Sequence, residues 1–141
     1  MDIDSVKELL HQNNFRITYE RELVLDTFLK TEKIVTPAQL FELVQRKHVR
    51  VGLTTVYRLL EVLTKLDLTT PFLVNGEIYY TFCTHQHHHH FICLHCRRVQ
   101  DVFECLPFQN ISRYGTMTSH KIDLFGYCVT CEREPSQEVK H

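Results

Sequence analysis

Residues 52–82 read GLTTVYRLLEVLTKLDLTTPFLVNGEIYYTF and decide the fold of the first half of the chain. The first part of this stretch carries leucines at helical spacing, which predicts a helix over about 54–66. These leucines are Leu59, Leu60, Leu63 and Leu66. The second part places Asn75-Gly76 between two β-rich runs, and both residues tolerate the positive φ of a type I′ turn. A helix followed by a β-hairpin is the closing half of a winged-helix domain.

Three more helices are predicted upstream. The first covers about 2–13, the second begins after a capping Thr18, and the third covers about 37–46. The stretch Thr36-Pro37-Ala38-Gln39 combines a capping threonine, a proline at the first helical position and a glutamine that completes a capping box. The side chains expected to face inward are Val6, Leu9, Leu10, Leu23, Val24, Thr27, Phe28, Leu40, Phe41 and Val44. This order of elements favours a winged helix over residues 1–82, and the alternative is merely a small α+β domain.

The predicted fourth helix opens with side chains suited to reading DNA. In a helix-turn-helix pair the second helix lies in the major groove with its N-terminal residues at base edges. Basic residues precede it, where phosphates would run. The candidate DNA contacts are Arg16, Arg21, Arg50, Thr54, Thr55, Tyr57 and Arg58. The net charge of −1 argues against a non-specific polyelectrolyte binder. One small domain with so little net charge would bind DNA weakly, so a homodimer would be needed for useful affinity. The alternative is an exposed, solvated face.

The metal-ligating residues are concentrated in the second half. All six cysteines and eight of the ten histidines follow residue 82. We therefore expect a metal-free domain over 1–82, a hinge over 83–86 and a metal-binding domain over 87–141. Two CxxC pairs, Cys93/Cys96 and Cys128/Cys131, suit a tetrahedral structural Zn²⁺. A redox dithiol or unrelated core cysteines are the alternatives.

The run HQHHHH at 85–90 leads into a predicted strand at Phe91-Ile92-Cys93. Alternation along the strand would place His87 and His89 on one face and His88 and His90 on the other, which predicts two further metal sites. The candidate partners of His88 and His90 are Cys83 and Asp101. The candidate partners of His87 and His89 are His120 and Glu104, with Cys105 ranked after these two. An unspecific histidine tract is the alternative.

Taken together, GLTTVYR, the HHHHFICLHC run, the Ser119-His120 pair and the closing CVTC resemble the ferric uptake regulator family of bacterial metal-sensing repressors, over about residues 5–132. The resemblance implies an α+β chain, with a winged-helix DNA-binding domain followed by a small α/β dimerisation domain that holds a structural zinc. It also implies a homodimer that binds an AT-rich inverted repeat in double-stranded DNA when loaded with metal.

The resemblance further implies roles for individual residues. Tyr57 and Arg58 fall where the family contacts DNA, and the four CxxC cysteines match its structural zinc site. The family's dimerisation-domain site is matched by His87, His89 and His120. Its regulatory site at the hinge is matched by His88 and His90.

Two departures from the family pattern bear on the metal. Where iron-sensing members place a histidine before the third helix and an acid in the last wing strand, this chain has Lys33-Ile34 and Thr81. Cys83 at the hinge is instead similar to the zinc-sensing subfamily, and a thiolate with imidazoles favours Zn²⁺ over Fe²⁺ or Mn²⁺. We expect a zinc-responsive repressor with two to three Zn²⁺ per protomer. An iron- or peroxide-responsive repressor, with Fe²⁺ or Mn²⁺ at the regulatory site, is the alternative.

Other classes of protein fit the sequence less well. No apolar run reaches the roughly 18 residues of a membrane helix, and MDIDSVKELL is unlike an export leader, which predicts a cytoplasmic protein. Cysteines in a reducing compartment favour metal or redox chemistry over disulfides. The sequence lacks the HxE and HExxH motifs that would point to a zinc hydrolase or deaminase, so we expect neither an enzyme nor a small-molecule substrate. A thiol redox switch at Cys105 or at the zinc-site thiolates stays open.

Overall fold

A computed structural model describes residues 2–48, 50–83, 87–105 and 108–133 of the chain. The chain divides into two compact units, Met1–His85 and Gln86–His141. Residues 84–86 of the predicted hinge lie outside the described residues. Within the described ranges, every helix is too short or too polar to cross a lipid bilayer.

The first unit opens with four helices, and the cap of each of the first three is the one that its sequence provides. The helices are α1 (Ile3–Gln12), α2 (Tyr19–Leu29), α3 (Pro37–Gln45) and α4 (Leu53–Lys65). The Thr36 hydroxyl accepts a hydrogen bond from the Gln39 backbone N–H at 3.1 Å, and the Gln39 side chain accepts one from the Thr36 N–H at 3.1 Å. The predicted capping box is therefore confirmed, and it fixes where α3 begins.

The helices pack around one apolar core. Its buried members are Val6, Leu10, Val24, Leu25, Phe28, Val35, Leu40, Val44, Val51, Val56, Leu59, Leu60, Leu63 and Leu68. One inward position of α2 differs from expectation, because Leu25 is buried while Thr27 is half-buried and donates a hydrogen bond to the Leu23 carbonyl at 2.9 Å. Since α2 contacts α1, α3 and α4, its buried stripe is wider than one helical face.

A β-hairpin completes the first unit. The strands β1 (Thr69–Val74) and β2 (Glu77–Phe82) pair antiparallel, with Val74 opposite Glu77 next to the turn. Asn75 and Gly76 have φ values of +51° and +80°, the left-handed region that a type I′ turn requires. The helices and this wing form the expected winged-helix arrangement.

The second unit is a three-stranded sheet with a small core. Strand β3 (His89–Cys93) lies in the centre, antiparallel to β4 (Val99–Val102) and parallel to β5 (Asp123–Gly126). A 3₁₀ turn, Ile111–Arg113, lies between β4 and β5, and α5 (Val129–Arg133) follows the sheet. Among the described residues of this unit, the buried apolar side chains are those of Ile92, Cys93 and Cys128. Three buried apolar side chains are a small core for a folded unit, so something besides apolar burial must stabilise the second unit.

Candidate metal centres and nucleic-acid interface

The four CxxC cysteines converge at one end of the sheet. Cys93 is the last residue of β3, and its register partner on β5 is Gly126, so the two CxxC segments leave neighbouring parallel strands side by side. The sulfur atoms of Cys93, Cys96, Cys128 and Cys131 all lie within 4.8 Å of one another. The Cys96 and Cys128 sulfurs are 3.9 Å apart. The structure thus brings together all four residues that the sequence assigns to a structural zinc site.

The electrostatics of this tetracysteine group fit a bound cation. Burial raises the pKa of the Cys93 thiol, but hydrogen bonds from the backbone N–H groups of Cys128 and Cys96, at 3.4 and 3.5 Å, outweigh burial and lower it to about 6. A hydrogen bond with Cys128, together with burial, raises the pKa of Cys131 to about 12. One sulfur is thus readily ionised while another resists ionisation. A divalent cation would stabilise all four thiolates together, and four sulfurs are a donor set that Zn²⁺ accepts.

His88 and His90 form a second group, on the other side of the β3 chain from His87 and His89. Their Nε2 atoms are 3.0 Å apart. Asp101 of β4 lies opposite His90 in the strand register. Its Oδ1 is 3.6 Å from His88 Nε2 and 3.9 Å from His90 Nε2. Burial and the neighbouring His88 imidazole lower the pKa of His90 below its ordinary value of 6.5. A lowered pKa keeps the ring neutral, which is the form that binds a metal.

His87, His89 and His120 meet a cysteine sulfur. Their Nε2 atoms lie 3.3, 3.2 and 3.6 Å from the Cys105 Sγ, respectively. Burial, then the charges of His87 and His120, lower the pKa of His89. The predicted partner Glu104 is exposed, and it lies outside the groups of ligand atoms found among the described residues. The structure therefore brings Cys105, rather than Glu104, to the three imidazoles.

Cys83 follows β2 at the end of the first unit and is held within it. Its backbone N–H donates to the Leu68 carbonyl at 2.8 Å, and the Thr70 hydroxyl donates to its Sγ at 3.0 Å. The side chain is buried, with the Thr70 hydroxyl beside its sulfur. Its predicted partnership with His88 and His90 stays a prediction.

The opening of α4 presents most of the candidate DNA contacts to solvent. Thr54, Tyr57 and Arg58 are exposed and Thr55 is half-buried, while Val56, on the opposite side, is buried in the core. Arg16 and Arg50 are also exposed. Arg21 is engaged within its own unit: its guanidinium stacks 4.4 Å from the Phe15 ring centroid and donates to the Arg16 carbonyl at 2.6 Å. A phosphate contact by Arg21 would have to coexist with these bonds.

A comparison with protein-family models finds a match to the ferric uptake regulator family over residues 12–124. The chain belongs to the ferric uptake regulator family. The resemblance inferred from sequence motifs is therefore confirmed, and the members of this family are metal-responsive transcriptional regulators. A related ferric uptake regulation protein, from Bacillus subtilis, is 28% identical over 145 residues, covering 96% of this chain and 97% of that protein.

Solved structures of the family share the fold. A zinc uptake regulator complexed with zinc and DNA aligns with a TM-score of 0.69 and 18% identity, covering 96% of this chain and 95% of that chain. The Helicobacter pylori ferric uptake regulator, described with three functional metal binding sites, aligns with a TM-score of 0.64 and 19% identity, covering 94% of this chain and 95% of that chain. At such identities the likeness supports the fold and leaves the metal to be argued from the residues of this chain.

Asp123 lies beside the His88–His90 group, and the sequence motifs did not identify it as a neighbour of that group. Its Oδ1 lies 3.8 Å from His90 Nδ1, and its Oδ2 lies 3.4 Å from Lys121 Nζ. The parallel register of β3 and β5 places Asp123 opposite His90. Because that pairing joins residues 33 positions apart, strand alternation within β3 gave no signal for it.

Proposed function

We propose that this chain is a zinc-responsive transcriptional repressor, acting in the cytoplasm, that binds an AT-rich inverted-repeat operator as a homodimer. The observation that carries the proposal is the His88–His90–Asp101 group, whose two imidazole nitrogens lie 3.0 Å apart. This group is separate from the tetracysteine group, which supports a regulatory metal in addition to a structural one. We assign the structural Zn²⁺ to Cys93, Cys96, Cys128 and Cys131.

The donors available near the regulatory group favour zinc. Cys83 precedes His88 by five residues, a span of at most about 18 Å of extended chain, so we assign it as a ligand together with His88, His90 and Asp101. A thiolate with two imidazoles is a set that Zn²⁺ prefers over Fe²⁺ or Mn²⁺. The two places where the family resemblance puts the extra ligands of iron sensors hold Lys33-Ile34 and Thr81, and none of these side chains carries an imidazole or a carboxylate.

A ligand set drawn from both units explains how metal could control DNA binding. When bound, Zn²⁺ would link Cys83, which is held to Leu68 and Thr70 of the first unit, to the β3 histidines of the second. The ligands would then restrict the motion of the winged helices and favour one existing arrangement. Shifting an equilibrium from 1:99 to 99:1 requires about 5.5 kcal/mol of differential binding. Protein zinc sites with thiolate and imidazole ligands reach about 10–16 kcal/mol in total, so the requirement is within range.

The surfaces of both units support an operator-binding homodimer. The exposed first turns of α4 carry the base-reading candidates, with half-sites expected one DNA turn, about 34 Å, apart. The second unit exposes large apolar side chains, as an interface between subunits requires. These are Phe103, Phe108, Ile111, Tyr114, Met117, Leu124, Phe125 and Val129. A second copy that covers this surface would bring two recognition helices to one inverted repeat.

The test is operator affinity against buffered free zinc, after an operator has been selected from random duplexes. We expect wild type to bind more tightly as zinc rises, by about 5- to 150-fold, the usual range of allosteric coupling. Cys83→Ser and His90→Ala should lose this response. His95→Ala is the matched control, because His95 is an exposed histidine of the same unit that lies outside the three ligand groups found in the described residues. Full zinc response in Cys83→Ser would refute the assignment of Cys83.

A second candidate keeps the repressor and changes the metal to iron. The carboxylates of Asp101 and Asp123 flank His90 at 3.9 and 3.8 Å, and oxygen donors favour Fe²⁺ or Mn²⁺. Metal analysis of protein expressed in defined medium distinguishes the two candidates. A zinc content that falls by one equivalent per protomer in His90→Ala supports the zinc sensor, whereas iron that is lost in the same variant supports the second candidate.

A further inference from the structure

We propose that the Cys105 thiolate completes a metal centre with His87, His89 and His120, and that this centre fastens the two ends of the long connection between β4 and β5. The family resemblance matches the three histidines to a metal site but names no cysteine among its ligands. A thiolate as the fourth donor is a property of this chain. It concerns folding and metal choice in the second unit, and it would hold whether or not the protein binds DNA.

The distances around the Cys105 sulfur fit a shared tetrahedral metal. The three imidazole Nε2 atoms lie 3.2–3.6 Å from Sγ. Zinc bonds of about 2.3 Å to sulfur and about 2.0–2.1 Å to nitrogen, at a tetrahedral angle, would separate sulfur from each nitrogen by about 3.5 Å. The three sulfur-to-nitrogen distances are thus already close to those that a bound Zn²⁺ would impose.

Hydrogen bonding alone explains this arrangement poorly. A thiol has one weak S–H donor and a weakly accepting sulfur, yet three imidazoles converge on Cys105. The imidazoles also lie close to one another, with ring centroids 4.8 Å apart for His87 and His120 and 4.9 Å apart for His87 and His89. Three basic rings around one sulfur are best stabilised by a cation that all four donors share.

The choice between Cys105 and its neighbour Glu104 sets the metal preference. A carboxylate in the fourth position would suit Fe²⁺ or Mn²⁺, whereas a thiolate with three imidazoles suits Zn²⁺. Glu104 lies outside the ligand groups among the described residues, and Cys105 lies inside one. The neighbouring pair therefore offers a direct test, since the two side chains can be altered one at a time.

The four ligands come from the ends of all three strands. His89 begins β3, with His87 just before it; Cys105 follows β4 by three residues, and His120 precedes β5 by three. Cys105 and His120 are thus the two ends of one connecting segment. Its described residues 108–119 are all exposed, and their regular structure is the 3₁₀ turn Ile111–Arg113. Long connections of this kind are uncommon unless they have a function. Within one protomer the described residues of this connection bury no side chain, so a metal at its base would fasten it independently of any second copy that covers its apolar side chains.

Cobalt spectroscopy tests the ligand. The protein is prepared with zinc in the tetracysteine site and Cys83→Ser in the background, so that Cys105 is the remaining thiol outside that site. Cobalt(II) is then added, and zinc retention is checked by metal analysis. We expect a thiolate-to-cobalt charge-transfer band that is absent after Cys105→Ser and kept after Glu104→Gln. A band that survives Cys105→Ser, or cobalt binding that fails in Glu104→Gln alone, overturns the proposal.

Limited proteolysis tests the fastening. Arg113 is exposed in the connecting segment of one protomer. Trypsin cleavage after it, followed by fragment mass, reports how firmly the segment is held, provided that the oligomeric state is shown to be the same with and without zinc. Added zinc should slow this cleavage at least tenfold in wild type and Glu104→Gln and leave the rate unchanged in Cys105→Ser. Because Cys105 is exposed, its replacement removes no core contact, and equal zinc protection in Cys105→Ser would overturn the fastening role. Neither assay contains DNA, so failure here is distinguishable from failure of the repressor proposal.

Discussion

The Nε2 atoms of His88 and His90 lie 3.0 Å apart, with Oδ1 of Asp101 within 3.9 Å of both. The two residues are separated by one position on an extended chain, so their side chains lie on the same face. Two imidazoles this close cannot both be protonated without strong repulsion. The pair is therefore suited to one cation rather than to two protons, and the pKa of His90 should depend on the fold.

A first prediction concerns pH. Burial lowers the pKa of His90 below its ordinary value of 6.5. When the pH falls through 6.5, His90 of the unfolded chain therefore takes up a proton before His90 of the folded chain does. Stability should then be constant above about pH 7 and fall as the pH drops below about 6.5, toward the lowered pKa. The measurement is hydrogen exchange of β3 amides near pH 7.5 and pH 6, corrected for the intrinsic exchange rate, in protein that keeps its tetracysteine zinc.

His90→Gln supplies the comparison for the pH experiment, because glutamine has similar polarity and does not titrate. Its β3 amides should show a weaker loss of protection between the two pH values. An identical pH dependence in wild type and His90→Gln would show that other groups control the acid side of the stability curve.

A second prediction concerns the tetracysteine zinc. The apolar core of buried side chains lies in the first unit, whereas the second unit buries Ile92, Cys93 and Cys128 among its described residues. Since structural zinc contributes about 10–16 kcal/mol and whole domains are stable by about 5–15 kcal/mol, removing it should unfold the second unit and leave the first folded. Hydrogen exchange after a strong chelator should show β3 unprotected and α2 and α4 protected. Persistent protection of β3 would contradict this account.

A third prediction concerns the recognition helix. Arg58 is exposed near the start of α4, so Arg58→Ala should weaken operator binding by about 1–3 kcal/mol if the guanidinium reads a base. If Arg58 contacts phosphate instead, affinity should fall equally for all sequences and the salt slope should decrease by about one. Lys65→Ala, an exposed cation at the far end of the same helix, is the control. Unchanged affinity in Arg58→Ala would remove this residue from the interface.

A fourth prediction concerns the α3 cap. Thr36→Ala removes the hydroxyl that accepts from the Gln39 N–H, which should reduce the free energy of unfolding of the first unit by about 1 kcal/mol. Thr36→Ser keeps the acceptor and should stay near wild type. Urea unfolding followed by helical circular dichroism measures both. Equal destabilisation by the two substitutions would mean that the threonine methyl, not the hydroxyl, matters.

The sequence predicted those parts of the fold that local chemistry determines. The Thr36-Pro37-Gln39 start of α3, the Asn75-Gly76 turn and the two faces of the histidine run each depend on residues a few positions apart. The structure agrees with all three. The buried Leu25 was missed because α2 has neighbours on several sides, and a single-face pattern does not include them.

The composition of the candidate metal sites was less accessible from sequence. Glu104 and Cys105 both follow β4, where strand alternation no longer indicates which side chain faces the histidines. Asp123 reaches His90 through a parallel pairing across the sheet. The choice of Cys105 over Glu104 and the approach of Asp123 to His90 each depend on which distant segments of the chain meet. The spacing of residues within one segment does not predict such meetings.

The most direct test of the account separates the regulatory metal from the structural one. Operator affinity is measured in a Cys105→Ser background, before and after mild chelation that empties the site assigned to Cys83, His88 and His90, with one equivalent of zinc shown to remain on the tetracysteine group. We predict that affinity falls by about 5- to 150-fold and returns when zinc is restored. Unchanged affinity after the regulatory metal has been removed would contradict the claim that metal binding controls this repressor.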